Sequence, residues 1–145
     1  MSACEKISKI CEKNNAHEAV LAETKEEQEK ILRIRSNIYT TLKPRVVDIL
    51  DVTVPPSRLV DLMNSVEEIA RKYNVYLPAY GHAGDGNLHV HIMKEENQKP
   101  DYVARIKTEF YKSGIGLGGV ITGEHGLGKI RTKDASLVLN MKELE

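Results

Sequence analysis

An α+β fold is predicted by the order and period of the apolar runs. From Val46 onward the order is strand, helix, strand, strand, helix, strand. The two central strands meet across a Gly-Asp-Gly turn, and the third strand alternates apolar with polar residues, as a sheet with one face under helices requires. This is the split βαβ or ferredoxin-like (βαββαβ) arrangement, an antiparallel sheet with helices on one face. An additional helix-strand-helix segment precedes it, and the 145 residues are read as a single domain, 1–145.

The first helix follows from Ile7, Ile10 and Cys11 at helical spacing and ends by Asn14-Asn15. His17 to Ala22 reads as a short strand. Thr24-Lys25-Glu26-Glu27 is a capping-box pattern, so a second helix starts there, buries Ile31, Ile34, Ile38 and Leu42, and stops before Pro44. Val46 to Val54 is rich in β-branched residues and ends at Pro55-Pro56, which makes it a strand. Pro56 occupies the first turn of a third helix carrying Leu59, Leu62, Met63, Val66, Ile69 and Ala70 and ending near Tyr73-Asn74. Two strands follow, Val75 to Gly81 and Asn87 to Met93. Pro100 opens a fourth helix with Val103, Ile106, Phe110 and Tyr111, and Val120-Ile121-Thr122 supplies the last strand.

With 41% hydrophobic and 29% charged residues the chain can bury a core. Lys plus Arg equal Asp plus Glu at 21 each and aromatic residues are few, which argues against a nucleic-acid partner. Cys4 and Cys11, seven apart on one helix, are separated by about 10 Å along its axis, too far for a disulfide. A reducing, cytoplasmic location is the expectation, and docking to a membrane partner is compatible with it. No apolar run reaches the roughly 20 residues of a membrane span, and Met1 to Lys6 lacks the apolar centre of a signal peptide.

Four of the five histidines fall in two glycine-bracketed blocks, Gly81-His82-Ala83-Gly84-Asp85-Gly86-Asn87-Leu88-His89-Val90-His91 and Gly123-Glu124-His125-Gly126. Imidazole and carboxylate supply ligands that suit zinc, manganese or iron. Along Asn87 to Met93, Leu88, Val90 and Ile92 face the helices, while Asn87, His89 and His91 share the other face. If the hairpin sets His82 opposite His89, their Cβ atoms lie about 5 Å apart and both rings can reach one ion at roughly 2.1 Å. Glu124 would then complete a 2-His-1-carboxylate set. Neighbours on extended chain point in opposite directions, so His125 is separated from that ion and suits an acid/base role.

A lone histidine is ordinarily a hydrogen-bonded sheet residue, and His17 keeps that reading; three within ten residues, two of them on one face, favour ligation. The Gly123 block taken alone also reads as a glycine-rich turn with a solvated carboxylate. The run from Gly114 to Gly128 does not make a phosphate loop, because Lys129 is followed by Ile130 and not by a hydroxyl residue. Arg35 sits on the apolar stripe of its helix, where a charge either snorkels to the surface or pairs with an anion such as a substrate carboxylate.

The chain resembles the C-terminal, substrate-side domain of FAD-linked oxidases, a group that includes glycolate oxidase large subunits, D-lactate dehydrogenases and D-2-hydroxyglutarate dehydrogenases. The likeness runs through Ile31-Leu32-Arg33-Ile34-Arg35, Asp51-Val52-Thr53-Val54-Pro55 with Arg58-Leu59, Gly81 to His89, and Thr122-Gly123-Glu124-His125-Gly126-Leu127-Gly128. It implies oxidation of a D-2-hydroxy acid at a flavin. The positions of His82, His89 and Glu124 would bind a divalent ion that polarises the substrate hydroxyl, and that of His125 would take its proton. Arg35 matches the carboxylate-binding arginine, Tyr39 and His91 fall at further substrate contacts, and Asn87 at a cofactor contact. FAD itself is implied to sit mainly on a separate FAD-binding domain, which nothing here resembles. The closing Asn-Pro-Gly-Lys-rich segment is missing after Met141, and Leu144-Glu145 reads as a cloning scar, so a fragment without FAD or activity of its own is expected. Relatives acting on dicarboxylates place a lysine where this chain has Ile49-Leu50, which favours lactate or glycolate.

Two other readings use the same residues. One is a stand-alone metal hydrolase or iron oxygenase built on the 2-His-1-carboxylate set. The other is a ferredoxin-like regulatory or dimerisation module with structural histidines, and a homodimer is compatible with either kind of role. Nothing in the residues identifies the electron acceptor.

Overall fold

A computed structural model describes residues 2–129 and 131–137. Met141 and Leu144-Glu145, named above, lie outside the described residues. By its internal contacts the chain divides into two compact units, Met1–Pro44 and Arg45–Glu145.

The first unit holds α1 (Ala3–Lys13) and α2 (Lys25–Leu42). Both open on the reciprocal cap their sequences encode. Ser2 Oγ accepts the Glu5 N–H at 3.2 Å while the Glu5 carboxylate accepts the Ser2 N–H at 2.7 Å; Thr24 and Glu27 repeat the pattern at 3.2 and 3.0 Å. Two expectations fail here. His17 to Ala22 forms no strand, because no neighbouring segment offers it a backbone ladder. The stripe on α2 is not buried either: Ile31 and Ile34 are 54% and 68% exposed, and Ile38 and Leu42 are only half-buried. Among the described residues of this unit there is no strand to cover that face. Cys4 and Cys11 are both free.

The second unit is mixed α and β. Its strands are β1 (Val46–Thr53), β2 (Ala79–His82) and β3 (Asn87–Met93), its helices α3 (Leu59–Tyr73) and α4 (Tyr102–Gly116). The sheet order is β1-β3-β2 and both pairings are antiparallel. Leu50, Val52, Leu88, Val90 and Ile92 point to the helix side, where they form one buried cluster with Leu62, Val66 and Ile69 of α3 and Ile106, Phe110 and Tyr111 of α4. The helices pack on each other, α4 on β1 and α3 on β3.

β2 starts four residues later than expected. The Val75 N–H still donates to the Ala70 carbonyl at the end of α3, and Pro78 has no N–H to offer, so Pro78 contributes only its carbonyl, to the His91 N–H at 2.9 Å. The hairpin turn is tighter than expected. Ala83–Asp85 makes a 3-10 turn, and Gly86, at φ +70°, turns the chain into β3 where a Cβ would overlap the Val54 carbonyl oxygen. His82 therefore pairs with Asn87, and Tyr80, not His82, lies opposite His89.

The fourth expected strand, Val120 to Thr122, is reduced to one bridge between Val120 and Thr53. The reason is the next glycine. Gly123 adopts φ +39° against the Asp51 side chain, so the chain leaves the sheet edge after a single residue and folds over the sheet face that carries Asp51.

Candidate metal and catalytic site

On the face of the sheet turned away from the helices, Asp51, Asn87, His89 and His91 are all buried. They are brought together by register: Asp51 of β1 and Tyr80 of β2 both pair with His89 of β3, and Thr53 and His82 both pair with Asn87. Strand alternation explains why these polar residues share a face, since each lies one residue from a core position. A buried polar row of this kind needs partners.

The partners come from the turn at Gly123 to His125. The Asp51 Oδ2 accepts the N–H groups of Glu124 at 2.9 Å and of His125 at 2.8 Å, while Oδ1 accepts from Asn87 Nδ2 at 2.7 Å. Asn87 Nδ2 also donates to Thr53 Oγ1 at 3.0 Å, and Asn87 Oδ1 is buried with no hydrogen-bond partner among the described residues. Held this way, Glu124 places Oε1 at 3.1 Å from His89 Nε2 and 3.6 Å from His82 Nε2. The His125 ring stacks on that of His89 at 4.8 Å, with Nε2 at 3.8 Å from Glu124 Oε1 and Nδ1 at 3.2 Å from Asp51 Oδ2.

Two sets of donor atoms lie within 4.8 Å of one another, His82, His89 and Glu124 in one and Asp51, His89 and His125 in the other. The first joins two imidazole nitrogens and a carboxylate oxygen, a donor set that fits zinc, manganese or iron. His82 and Glu124 are partly exposed and His89 is buried, so the set opens to solvent on one side.

His82, His89, Glu124 and His125 are thus gathered at one place, and His91 lies two residues along the same strand face, stacked on Tyr80 at 4.9 Å. The premise that separated His125 from Glu124 does not hold. Their segment is a turn and not extended chain, so both side chains reach the same cluster. Arg35 and Tyr39 lie on α2 of the first unit, both exposed. Asp51, which accepts from Asn87, Glu124 and His125 at once, enters the sequence reading only as part of a motif. The signal was there: an acidic residue between Leu50 and Val52, inside a β-branched run, is disfavoured unless it is needed.

Burial, and secondly the neighbouring His89, hold the pKa of His91 below its ordinary value of 6.5. The folded chain therefore takes up this proton at lower pH than the unfolded chain does. Its contribution to stability is complete above about pH 6.5 and is lost as the pH falls below it, at up to about 1.4 kcal/mol per pH unit. Urea melts of the metal-free chain on either side of that value should show a smaller acid loss for His91→Gln than for the unsubstituted chain.

The sequence matches the family model for FAD linked oxidases, C-terminal domain, over residues 1–144. It is 37% identical over 134 residues to a D-lactate dehydrogenase of Archaeoglobus fulgidus, covering 90% of this chain and 29% of that protein. It is 33% identical over 147 residues to the glycolate oxidase subunit GlcD of Bacillus subtilis, covering 97% of this chain and 31% of the relative. A mitochondrial D-lactate dehydrogenase [cytochrome] of Arabidopsis thaliana is 27% identical over 146 residues, covering 96% of this chain and 26% of the relative. The chain thus spans less than a third of these relatives' lengths, and the helices, sheet and histidine cluster described here fall within the matched part. On the match over residues 1–144, the chain belongs to the C-terminal domain family of FAD-linked oxidases.

Proposed function

We propose that this chain is the substrate- and metal-binding part of a flavin-dependent dehydrogenase that oxidises a D-2-hydroxy acid of the lactate or glycolate type to the 2-oxo acid. The observation that carries the reading is the convergence of His82 Nε2, His89 Nε2 and Glu124 Oε1, with the His125 imidazole stacked beside them. A divalent ion in that set, zinc, manganese or iron, supplies Lewis acidity toward the substrate hydroxyl. FAD, held by an FAD-binding domain of the full-length protein, supplies the two-electron acceptor.

The work of the chain's own residues follows. His82, His89 and Glu124 hold the ion, and Glu124 is itself fixed by the two backbone N–H groups that Asp51 accepts. His125 takes the hydroxyl proton at Nε2, a general-base role for a group whose ordinary pKa is near neutrality. FAD, when bound, would accept the α-hydrogen with its electron pair, so that loss of the hydroxyl proton to His125 leaves the 2-oxo acid. The family resemblance adds Arg35, Tyr39 and His91 as substrate contacts and Asn87 as a cofactor contact, for which the Asn87 Oδ1 has an unused acceptor. We also assign the sheet to the ferredoxin-like arrangement. Its order β1-β3-β2 and the Val120 bridge on the outer edge of β1 support that assignment. Among the described residues no helix is long and apolar enough to cross a membrane.

Calorimetric titration of the chelator-treated chain with zinc tests the reading. One ion per chain is expected, with binding weakened in Glu124→Gln. No binding by the folded chain would overturn it.

A further inference from the structure

The second donor set, Asp51 with His89 and His125, shares His89 with the first and demands an explanation. Asp51 is fully buried in the middle of β1. Every partner that approaches its carboxylate is a donor: Asn87 Nδ2 at Oδ1, and the N–H groups of Glu124 and His125 at Oδ2. Two imidazole nitrogens lie within ion-pair distance, His89 Nδ1 at 3.4 Å from Oδ1 and His125 Nδ1 at 3.2 Å from Oδ2, and the buried His89 Nδ1 has no hydrogen-bond partner among the described residues, so this carboxylate is the acceptor nearest to hand. A cation placed there would face N–H dipoles already aimed at the same oxygens. The set is therefore an anion surrounded by donors and not a second ion site.

We propose that Asp51 is the positioning residue of the site, a single buried carboxylate that draws the proton of both imidazoles to Nδ1 and so leaves both Nε2 lone pairs free. The inference rests on the proposed roles of His89 and His125. A neutral imidazole carries one N–H, and the carboxylate beside Nδ1 decides which nitrogen keeps it. For His89 the free Nε2 is the atom 3.1 Å from Glu124 Oε1, within the proposed ion set. For His125 the free Nε2 is the atom that would take the hydroxyl proton. The same carboxylate fixes Glu124 through its backbone. Three functional side chains thus depend on one residue, and Gly123 is what lets the turn close onto it, since a Cβ there would overlap the Asp51 carboxylate.

Asparagine is the discriminating substitution. It keeps the size of Asp51 but presents an NH2 group to partners that are themselves donors, so one oxygen's worth of contacts must break. Side-chain 15N NMR of the metal-free chain, at a pH where the imidazoles are neutral, reads the tautomers directly. His89 and His125 should both be Nδ1–H in the unsubstituted chain, and finding either as Nε2–H overturns the proposal without any variant. In Asp51→Asn the imidazole that faces the new NH2 group should shift toward Nε2–H, and zinc should bind about 10- to 100-fold more weakly. Unchanged tautomers and zinc affinity in that variant overturn the proposal while the reading of the site stands. Failure of the unsubstituted chain to bind zinc, with the Nδ1–H tautomers present, removes the ion site and leaves the placement of the protons by Asp51 in force.

Discussion

Substituting His89 by alanine is expected to lower zinc affinity by at least about a hundredfold and, independently, to destabilise the metal-free chain. The first effect follows from the donor count. Residues that only orient a ligand already cost about 10- to 100-fold when removed, so loss of one of three ligands costs no less. The second follows from burial. His89 is buried between Asp51, Tyr80 and His125, and its removal leaves a cavity beside the Asp51 carboxylate and strips that buried charge of a neighbouring imidazole at 3.4 Å. A loss of about 1–3 kcal/mol is the scale for a buried polar group deprived of a partner. His82→Ala separates the two effects, because His82 is partly exposed at the end of β2, where its ring meets the edge of His89 but is not enclosed, so its removal leaves no buried cavity. Zinc titration and urea melts of both variants check the expectation: both lose zinc, and only His89→Ala loses stability without metal. Zinc binding retained by both would remove these histidines from the ion set.

The contrast between these two histidines shows which parts of the site a sequence can reveal. Strand alternation put Asn87, His89 and His91 on one face because a period of two leaves no other choice once Leu88, Val90 and Ile92 face the core. The sequence places His82 opposite His89, whereas His82 pairs with Asn87; that register was out of reach, since it hung on the 3-10 turn at Ala83–Asp85 and on Gly86 seated against the Val54 carbonyl. Val120 to Thr122 has the composition of a strand, yet Asp51, far back in the sequence, bends it away at Gly123. That same distance hid the role of Asp51. The helices were easier. The capping box at Thr24 and the end of α3 near Asn74, which adopts αL, are local devices written in consecutive residues, while the Ser2 box that opens α1 emerges only in the structure. What covers a helix is not, which is why the stripe on α2 predicted the helix correctly and its burial wrongly.

Phe110→Ala is expected to cost about 3–5 kcal/mol of unfolding free energy, the range for truncating a large buried aromatic. Phe110 is 1% exposed and belongs to the cluster on the helix side of the sheet, together with Leu50 and Val52. Asp51 stands between those two residues and points to the opposite face. The sheet therefore separates the cavity from the site by one layer of backbone, and β1 is the element common to both. Zinc at about a hundred times its dissociation constant adds about 2.7 kcal/mol to any chain that binds it only when folded. If the two faces are coupled only through global unfolding, zinc adds the same increment to Phe110→Ala as to the unsubstituted chain, because distant sites are additive to within about 0.5 kcal/mol. Urea melts of both chains with and without zinc measure this. An increment that shrinks in the variant would mean that packing under β1 holds Asp51, and through it Glu124, in register. The additive result is expected, since backbone pairing of β1 with β3 fixes Asp51 opposite His89 whatever lies beneath.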